Sequence, residues 1–276
     1  MPKQTVQEVE LAYDVRGSSG DPVVLIHGSL VDRHTWDLVV PGLAQAMQVV
    51  TYDRRGYGES RGPPTAHRVR DDANDLAGLL EAIDVYPAHV IAHSYGGAVA
   101  LRLAIDHPQM VRSFAIHESP LVGLLAEDPA TATEGQALLD AMHSVLALTS
   151  AGEAERAAAR VVNLFSAEPG AWERLPDALR HDFSRTMDQW AEEFTDPEAV
   201  LPDAAACREL IVPALLTTGS ESPRFLWRIA RDLDALLRNG QRLDIPGVGH
   251  APHVTRPHQY VGLLVTFLLE RNVPVS

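Results

Sequence analysis

The chain has 276 residues, of which 46% are hydrophobic and 22% charged, a balance typical of a globular protein with a sizeable core. Its formal net charge of -14 argues against binding to nucleic acid or anionic membranes, and no basic cluster reverses that charge locally. The single cysteine, Cys207, has no partner for an intrachain disulfide, and no apolar run matches a signal sequence or a bilayer span. These features predict a soluble cytoplasmic protein.

Short apolar runs of β character alternate with helical patterns along the chain. The runs fall at residues 23–26, 48–52, 89–92, 111–116, 214–218 and 241–245. Strands this short and continuously apolar suit a sheet that helices cover on both faces, so they predict a mostly parallel sheet. Residues 5–17 alternate more between apolar and polar types, which predicts an antiparallel hairpin or edge.

A long segment, residues 121–210, separates the fourth and fifth predicted strands and shows no strand pattern. It is rich in Ala, Leu and Glu and is interrupted by prolines, which predicts several short helices. Because it follows a strand, it should lie over the carboxyl edge of the sheet, where open α/β folds bind ligands. We predict a core domain of residues 1–120 and 211–276, and a lid of residues 121–210, called the helical insertion below.

The run AHSYGG at residues 92–97 places a serine between a predicted strand and a predicted helix. A serine in so sharp a turn needs small residues two positions away on either side, and Ala92 and Gly96 meet that need. The following helix directs its N-terminal amides at the place where an oxyanion would develop. Ser94 is therefore a candidate nucleophile, and an ordinary surface turn is the alternative.

A second turn of this kind follows the first apolar run of the sheet, in HGSL at residues 27–30. Its glycine allows the backbone to turn tightly, so that the next amide can point at the atoms that the nucleophile attacks. The backbone amides of Ser29 and Tyr95 would together form an oxyanion hole.

A serine nucleophile needs a base with a pKa near neutrality, and histidine suits that role. Among the 12 histidines, His250 stands out because it ends the glycine-rich PGVGH run after the last predicted strand. His253 is the nearby competitor. The scattered histidines show no metal-ligand spacing, and no nucleotide-binding glycine motif is present, so neither a metal nor a cofactor is expected.

These turns, the DRRGYGES run at residues 53–60, the insertion and the His250 loop together resemble the α/β-hydrolase superfamily over essentially the whole chain. The resemblance implies an α/β-hydrolase fold and a triad of serine, histidine and an acid. In most such hydrolases the acid follows the strand after the lid, in a G-x-x-D pattern. This chain has GSES at residues 219–222, where Ser222 takes the Asp position and Glu221 comes one residue early.

Some members of the superfamily place the acid after the strand that precedes the lid. Lactonases resembling the zearalenone-lactonase group carry a His-Glu pair there, and this chain has His117-Glu118 at the corresponding place. The resemblance therefore favours Glu118 as the acid, with Glu221 as the alternative. It also suggests that Asp53, Arg54 and Arg55 tie their loop together by ion pairs.

The implied reaction is acyl transfer on a carboxylic ester or lactone through an acyl-enzyme intermediate. A large lid suggests a moderately large, apolar small-molecule substrate, and Trp190 within it is a candidate lining residue or a packing residue. The same triad also supports C–C bond hydrolysis, lyase chemistry or perhydrolysis, because the fold does not determine the chemistry. A ligand-binding receptor that has lost turnover is the alternative from a different class.

Overall fold

The computed structural model describes residues 2–62 and 68–270, and its described strands form one eight-stranded sheet. In chain order they are β1 (Lys3–Val6), β2 (Val9–Arg16), β3 (Pro22–Ile26), β4 (Gln48–Tyr52), β5 (Ala88–His93), β6 (Val111–His117), β7 (Ala214–Gly219) and β8 (Gly240–Ile245). The spatial order is β1-β2-β4-β3-β5-β6-β7-β8. Strand β2 pairs antiparallel with both β1 and β4, and the strands from β3 to β8 run parallel to one another. The mostly parallel sheet and its N-terminal hairpin are confirmed.

The parallel strands are apolar on both faces because helices cover both faces. Val24, Val90 and Phe114 point into the larger core on one side, while Val23 and Ile91, their odd-numbered neighbours, point into a smaller core on the other. Successive side chains of a strand alternate between faces, so a continuous apolar run supplies both cores.

The helices complete the two cores. They are α1 (Val40–Leu43), α2 (Val69–Ala82), α3 (Gly96–Asp106), α4 (Gly123–Glu127), α5 (Ala132–Ser150), α6 (Ala154–Leu164), α7 (Asp177–Arg185), α8 (Met187–Thr195), α9 (Ala204–Glu209), α10 (Arg224–Asp234), α11 (Pro252–Thr255) and α12 (Pro257–Glu270). Helices α2, α3 and α10 pack in the larger core, and α1 and α12 in the smaller one. Within the described ranges, no helix is both long and apolar enough to cross a membrane.

The helical insertion leaves the sheet at the carboxyl end of β6 and returns at β7, and it contains α4 to α9. Its buried side chains, among them Met142, Val145 and Trp190, belong to the same core as α2 and α3. The insertion therefore packs with the face of the sheet that α2 and α3 cover.

Candidate active site

Ser94 lies in a strained turn between β5 and α3. Its φ angle of 53° is in the left-handed region, which costs a non-glycine residue about 1–3 kcal/mol and is typical of functional turns. The Ser94 amide donates to the His117 carbonyl at 2.9 Å, which fixes the turn against the end of β6. A Cβ atom on Gly96 would lie 2.8 Å from the carbonyl oxygen of His27, so the turn needs glycine there.

The predicted oxyanion turn lies directly beside this serine. A Cβ atom on Gly28 would lie 3.0 Å from the Ser94 Cβ atom and 3.0 Å from His93 Nδ1, so a side chain here would press on the Ser94 turn. Ser29 follows Gly28 on the turn, and Tyr95 follows Ser94. The structure thus brings both predicted donor residues next to the candidate nucleophile.

His250 and Glu118 are joined by a hydrogen bond. His250 Nδ1 lies 2.8 Å from Glu118 Oε2, and the Gly219 amide donates to the other carboxylate oxygen, Oε1, at 2.7 Å. Glu118 is itself in a left-handed conformation with φ of 50°, and its amide donates to the Thr217 carbonyl at 3.2 Å. The carboxylate is held from two sides and fixes the tautomer of the imidazole, leaving Nε2 for proton transfer.

Glu118 is ionised although it is 2% exposed. Burial favours the protonated acid, but His117, His250 and the Gly219 amide favour the carboxylate and together lower the pKa of Glu118 to about 2. For His117, burial outweighs the attraction of Glu118 and lowers the pKa to about 4. At neutral pH the site therefore contains a buried carboxylate beside a neutral imidazole.

Two further histidines lie near His250: the ring of His93 contacts it directly, and the ring of His253 contacts that of His93. His93 donates from Nε2 to the His250 carbonyl at 2.7 Å, with the two ring centroids 4.7 Å apart. His253, the competing candidate for the base, is buried and pairs its Nε2 with the Thr35 hydroxyl at 2.9 Å. Burial lowers the pKa of His93 well below its ordinary value and that of His253 to about 3, so both stay neutral. Across the described residues, no three His, Cys, Asp or Glu side chains converge as metal ligands would.

The alternative acid lies elsewhere on the loop after β7. The Glu221 side chain is exposed, and its amide donates to the Val248 carbonyl at 2.9 Å. Ser222, at the Asp position of the G-x-x-D pattern, donates its amide to the Gly219 carbonyl at 3.1 Å. The carboxylate that contacts the His250 imidazole is that of Glu118.

Aromatic side chains of the helical insertion cover the site. The ring of Phe165 stacks on His250 with centroids 5.3 Å apart and an interplanar angle of 28°. Trp190 is buried against Phe194, at 4.5 Å between centroids, and Phe194 in turn meets Tyr95 at 6.1 Å. Sequence reasoning singled out Trp190 and missed Phe165, because an aromatic residue at the end of a helix carries no local sign of its distant contact.

The DRRG loop is tied by ion pairs whose partners lie elsewhere in the chain. The Asp53 carboxylate pairs with the guanidinium of Arg33 and accepts the amide of Glu59 at 2.8 Å. Arg55 binds Asp75 of α2 through two hydrogen bonds of 2.7 and 2.8 Å. The loop is therefore anchored to the core, and Arg54, between these two residues, contacts the predicted oxyanion turn at the carbonyls of His27 and Gly28.

The model of the α/β hydrolase fold family matches residues 21–257, which is most of the chain. The protein belongs to the α/β-hydrolase fold family. It is 24% identical over 290 aligned positions to a pyrrolizixenacetamide deacetylase of Xenorhabdus hominickii, covering 99% of this chain and 100% of that protein. It is 38% identical over 102 residues to a 2-hydroxymuconate semialdehyde hydrolase of Pseudomonas sp. CF600, covering 36% of each chain.

The fold is also similar to that of the enol-lactonase from Burkholderia xenovorans LB400. The TM-score is 0.71 at 20% identity, covering 97% of this chain and 100% of that one. The match to the family model shows that the chain is a hydrolase of the α/β fold. Related α/β hydrolases act on chemically different substrates, so the bond that this member cleaves has to be argued from its own site.

Proposed function

We propose that this α/β hydrolase cleaves a carboxylic ester or lactone through an acyl-enzyme intermediate. Ser94 is the nucleophile, His250 the general base and acid, and Glu118 the carboxylate that orients the imidazole. The proposal rests above all on the 2.8 Å contact between His250 Nδ1 and the buried Glu118 carboxylate, beside the strained Ser94 turn. Relatives that carry out acyl chemistry, such as the deacetylase, are consistent with it.

In the acylation step, Ser94 Oγ attacks the carbonyl carbon while His250 Nε2 takes the hydroxyl proton. The negative charge moves onto the carbonyl oxygen, which the backbone amides of Ser29 and Tyr95 stabilise. The C–O bond to the leaving group then breaks, and the imidazolium returns its proton to the departing alkoxide. In a lactone the leaving alcohol remains attached to the acyl group.

In the deacylation step, water attacks the acyl-enzyme and the same imidazole takes its proton. The tetrahedral intermediate collapses, and the bond to Ser94 Oγ breaks as the imidazolium returns the proton to that oxygen. A carboxylic acid or hydroxy acid then leaves. Glu118 stabilises the imidazolium in both steps without itself being protonated, which its low pKa supports. Only water and groups of this chain take part.

Hydrolysis of p-nitrophenyl butyrate by the wild-type protein and by Ser94→Ala tests the proposal. We expect turnover that is lost in Ser94→Ala and retained in Ser144→Ala, whose hydroxyl only bonds to the carbonyl of Ala141 in its own helix. Retained turnover in Ser94→Ala would refute the role of this serine. Parallel assays with lactones and β-diketones distinguish ester, lactone and C–C bond cleavage, and ligand binding without turnover of any of them would favour a receptor.

A further inference from the structure

A carboxylate of the helical insertion reaches the turn that carries the proposed oxyanion donor. Glu193 lies on α8, and its side chain is completely buried. Its Oε1 lies 2.6 Å from Arg54 Nη2, and its Oε2 accepts a hydrogen bond of 2.5 Å from the Ser29 hydroxyl. A buried carboxylate persists only when it is paired and hydrogen-bonded in this way, so these contacts determine where the side chain sits.

The Arg54 side chain holds the same turn by binding the backbone carbonyls of the turn. Its guanidinium donates from Nε to the His27 carbonyl at 3.2 Å and from Nη2 to the Gly28 carbonyl at 3.0 Å. Its Nη1 lies 3.2 Å from Asp72 on α2. The guanidinium carbon also lies 4.5 Å from the ring centroid of Tyr95, the residue that carries the second proposed donor. One side chain thus touches both halves of the proposed oxyanion hole.

Arg54 has carboxylate partners from two separate parts of the molecule. Asp72 belongs to the core, whereas Glu193 belongs to the insertion. Removing one partner from a buried charged pair costs about 3–5 kcal/mol. The position of α8 is therefore energetically coupled to the position of Arg54 and of the turn with Ser29.

We propose that Glu193 is a positioning residue. Through its contacts with Ser29 and Arg54 it fixes the position of the backbone amides of the oxyanion hole when the helical insertion covers the site. This inference rests on the proposed acyl-transfer function. Oxyanion donors act only when they lie about 2.7–3.1 Å from the developing charge, so a small displacement of the turn weakens the transition state. An oxyanion donor acts on charge that develops only in the transition state, so we expect Glu193 to affect kcat rather than KM.

The Glu193→Gln variant keeps the side-chain volume and removes the charge. With p-nitrophenyl butyrate we expect kcat to fall about 10- to 100-fold, less than the loss on deleting a whole oxyanion donor, with KM unchanged within about threefold. Ser29→Ala keeps the backbone amide and the Arg54–Glu193 pair and removes only the hydroxyl, so kcat should fall about 3- to 10-fold. This milder variant keeps the test decisive if the first one folds poorly.

Two control variants separate positioning from stability. Asp75→Asn breaks a buried pair with Arg55, which belongs to the same DRRG loop. Asp75 lies on α2, so this pair does not involve the helical insertion. It should lower the melting temperature while kcat stays within about twofold. Glu192→Gln changes the exposed neighbour of Glu193 on α8 and should alter neither quantity.

Hydrogen exchange of the backbone amides of residues 27–31 gives a readout that does not depend on activity. It should speed up in Glu193→Gln and Ser29→Ala and stay at the wild-type rate in both controls. If Ser94→Ala keeps full activity, the acyl-transfer function is wrong, and the exchange rates still decide whether Glu193 positions the turn. Unchanged exchange in Glu193→Gln, or an equal loss of kcat in Asp75→Asn, would overturn the inference.

Discussion

Replacing Glu118 by glutamine reverses the hydrogen-bonding character of the atom that faces His250, with almost no change in shape. The Gly219 amide donates to Glu118 Oε1 at 2.7 Å, so the amide oxygen of glutamine has to take that position. Its NH2 group then lies where Oε2 stands, 2.8 Å from His250 Nδ1, and donates to it. The imidazole is left with its proton on Nε2, the tautomer that cannot accept the Ser94 proton.

The magnitude of the loss follows from the same geometry. Two opposite charges about 4 Å apart attract each other by about 4 kcal/mol at an effective dielectric constant near 20, so losing the carboxylate alone slows imidazolium formation about 10³-fold. The wrong tautomer adds to this, and an analogous carboxylate-to-amide change in a serine protease lowers kcat about 10⁴-fold. We therefore expect Glu118→Gln to lower kcat by about 10³ to 10⁴.

The assay is steady-state hydrolysis of p-nitrophenyl butyrate, with thermal melting to verify folding. Glu221→Gln is the matched control, because its exposed carboxylate follows the neighbouring strand and should leave kcat within about twofold. If Glu221→Gln lost activity as far and Glu118→Gln kept it, the assignment of the acid would be wrong. A loss of less than about tenfold in Glu118→Gln would refute the tautomer argument.

Three further predictions concern stability and the surroundings of the triad. Burial lowers the pKa of His117 from 6.5 to about 4, so its contribution to stability is complete above pH 6.5 and falls on acidification, by about 3 kcal/mol at pH 4. Urea unfolding at pH 7 and 4.5 measures this loss, and an equally steep loss in His117→Gln would contradict it. Gly28→Ala should lower kcat about tenfold or more, because its Cβ would lie 3.0 Å from the Ser94 Cβ atom and displace the turn, whereas Gly262→Ala, in open space on α12, should leave kcat unchanged. An active Gly28→Ala would refute the close approach. Phe165→Leu should lower kcat/KM about threefold or more by removing the ring stacked on the His250 imidazole, and an unchanged value would show that the stacking is dispensable.

The sheet could be predicted because its signals are local. Each parallel strand is a short, continuously apolar run, and the predicted bounds differ from those of β3 to β8 by at most one residue at either end. The turns around Ser94, Ser29 and His250 were also readable, since each combines a strand end with glycine at a position where the backbone has to turn sharply.

The contacts made by the helical insertion could not be predicted in this way. Glu193 and its exposed neighbour Glu192 look alike in the sequence, yet one is completely buried against Arg54 and Ser29. Phe165 is likewise one aromatic residue among several in the insertion. Which member of such a set meets the site depends on how the insertion packs on the sheet, and no local pattern determines that.

The position of the acid shows how two strand ends can serve one imidazole. β6 and β7 are adjacent and parallel, with His117 opposite Thr217, so the residues after them leave the sheet side by side. The Glu118 amide donates to the Thr217 carbonyl, and its carboxylate accepts the Gly219 amide, so Glu118 already spans from one strand end to the other. A carboxylate anchored in this way at the end of β6 takes the place that a residue after β7 would otherwise occupy. Ser222 can therefore take the Asp position of the G-x-x-D pattern without leaving the imidazole of His250 unpaired.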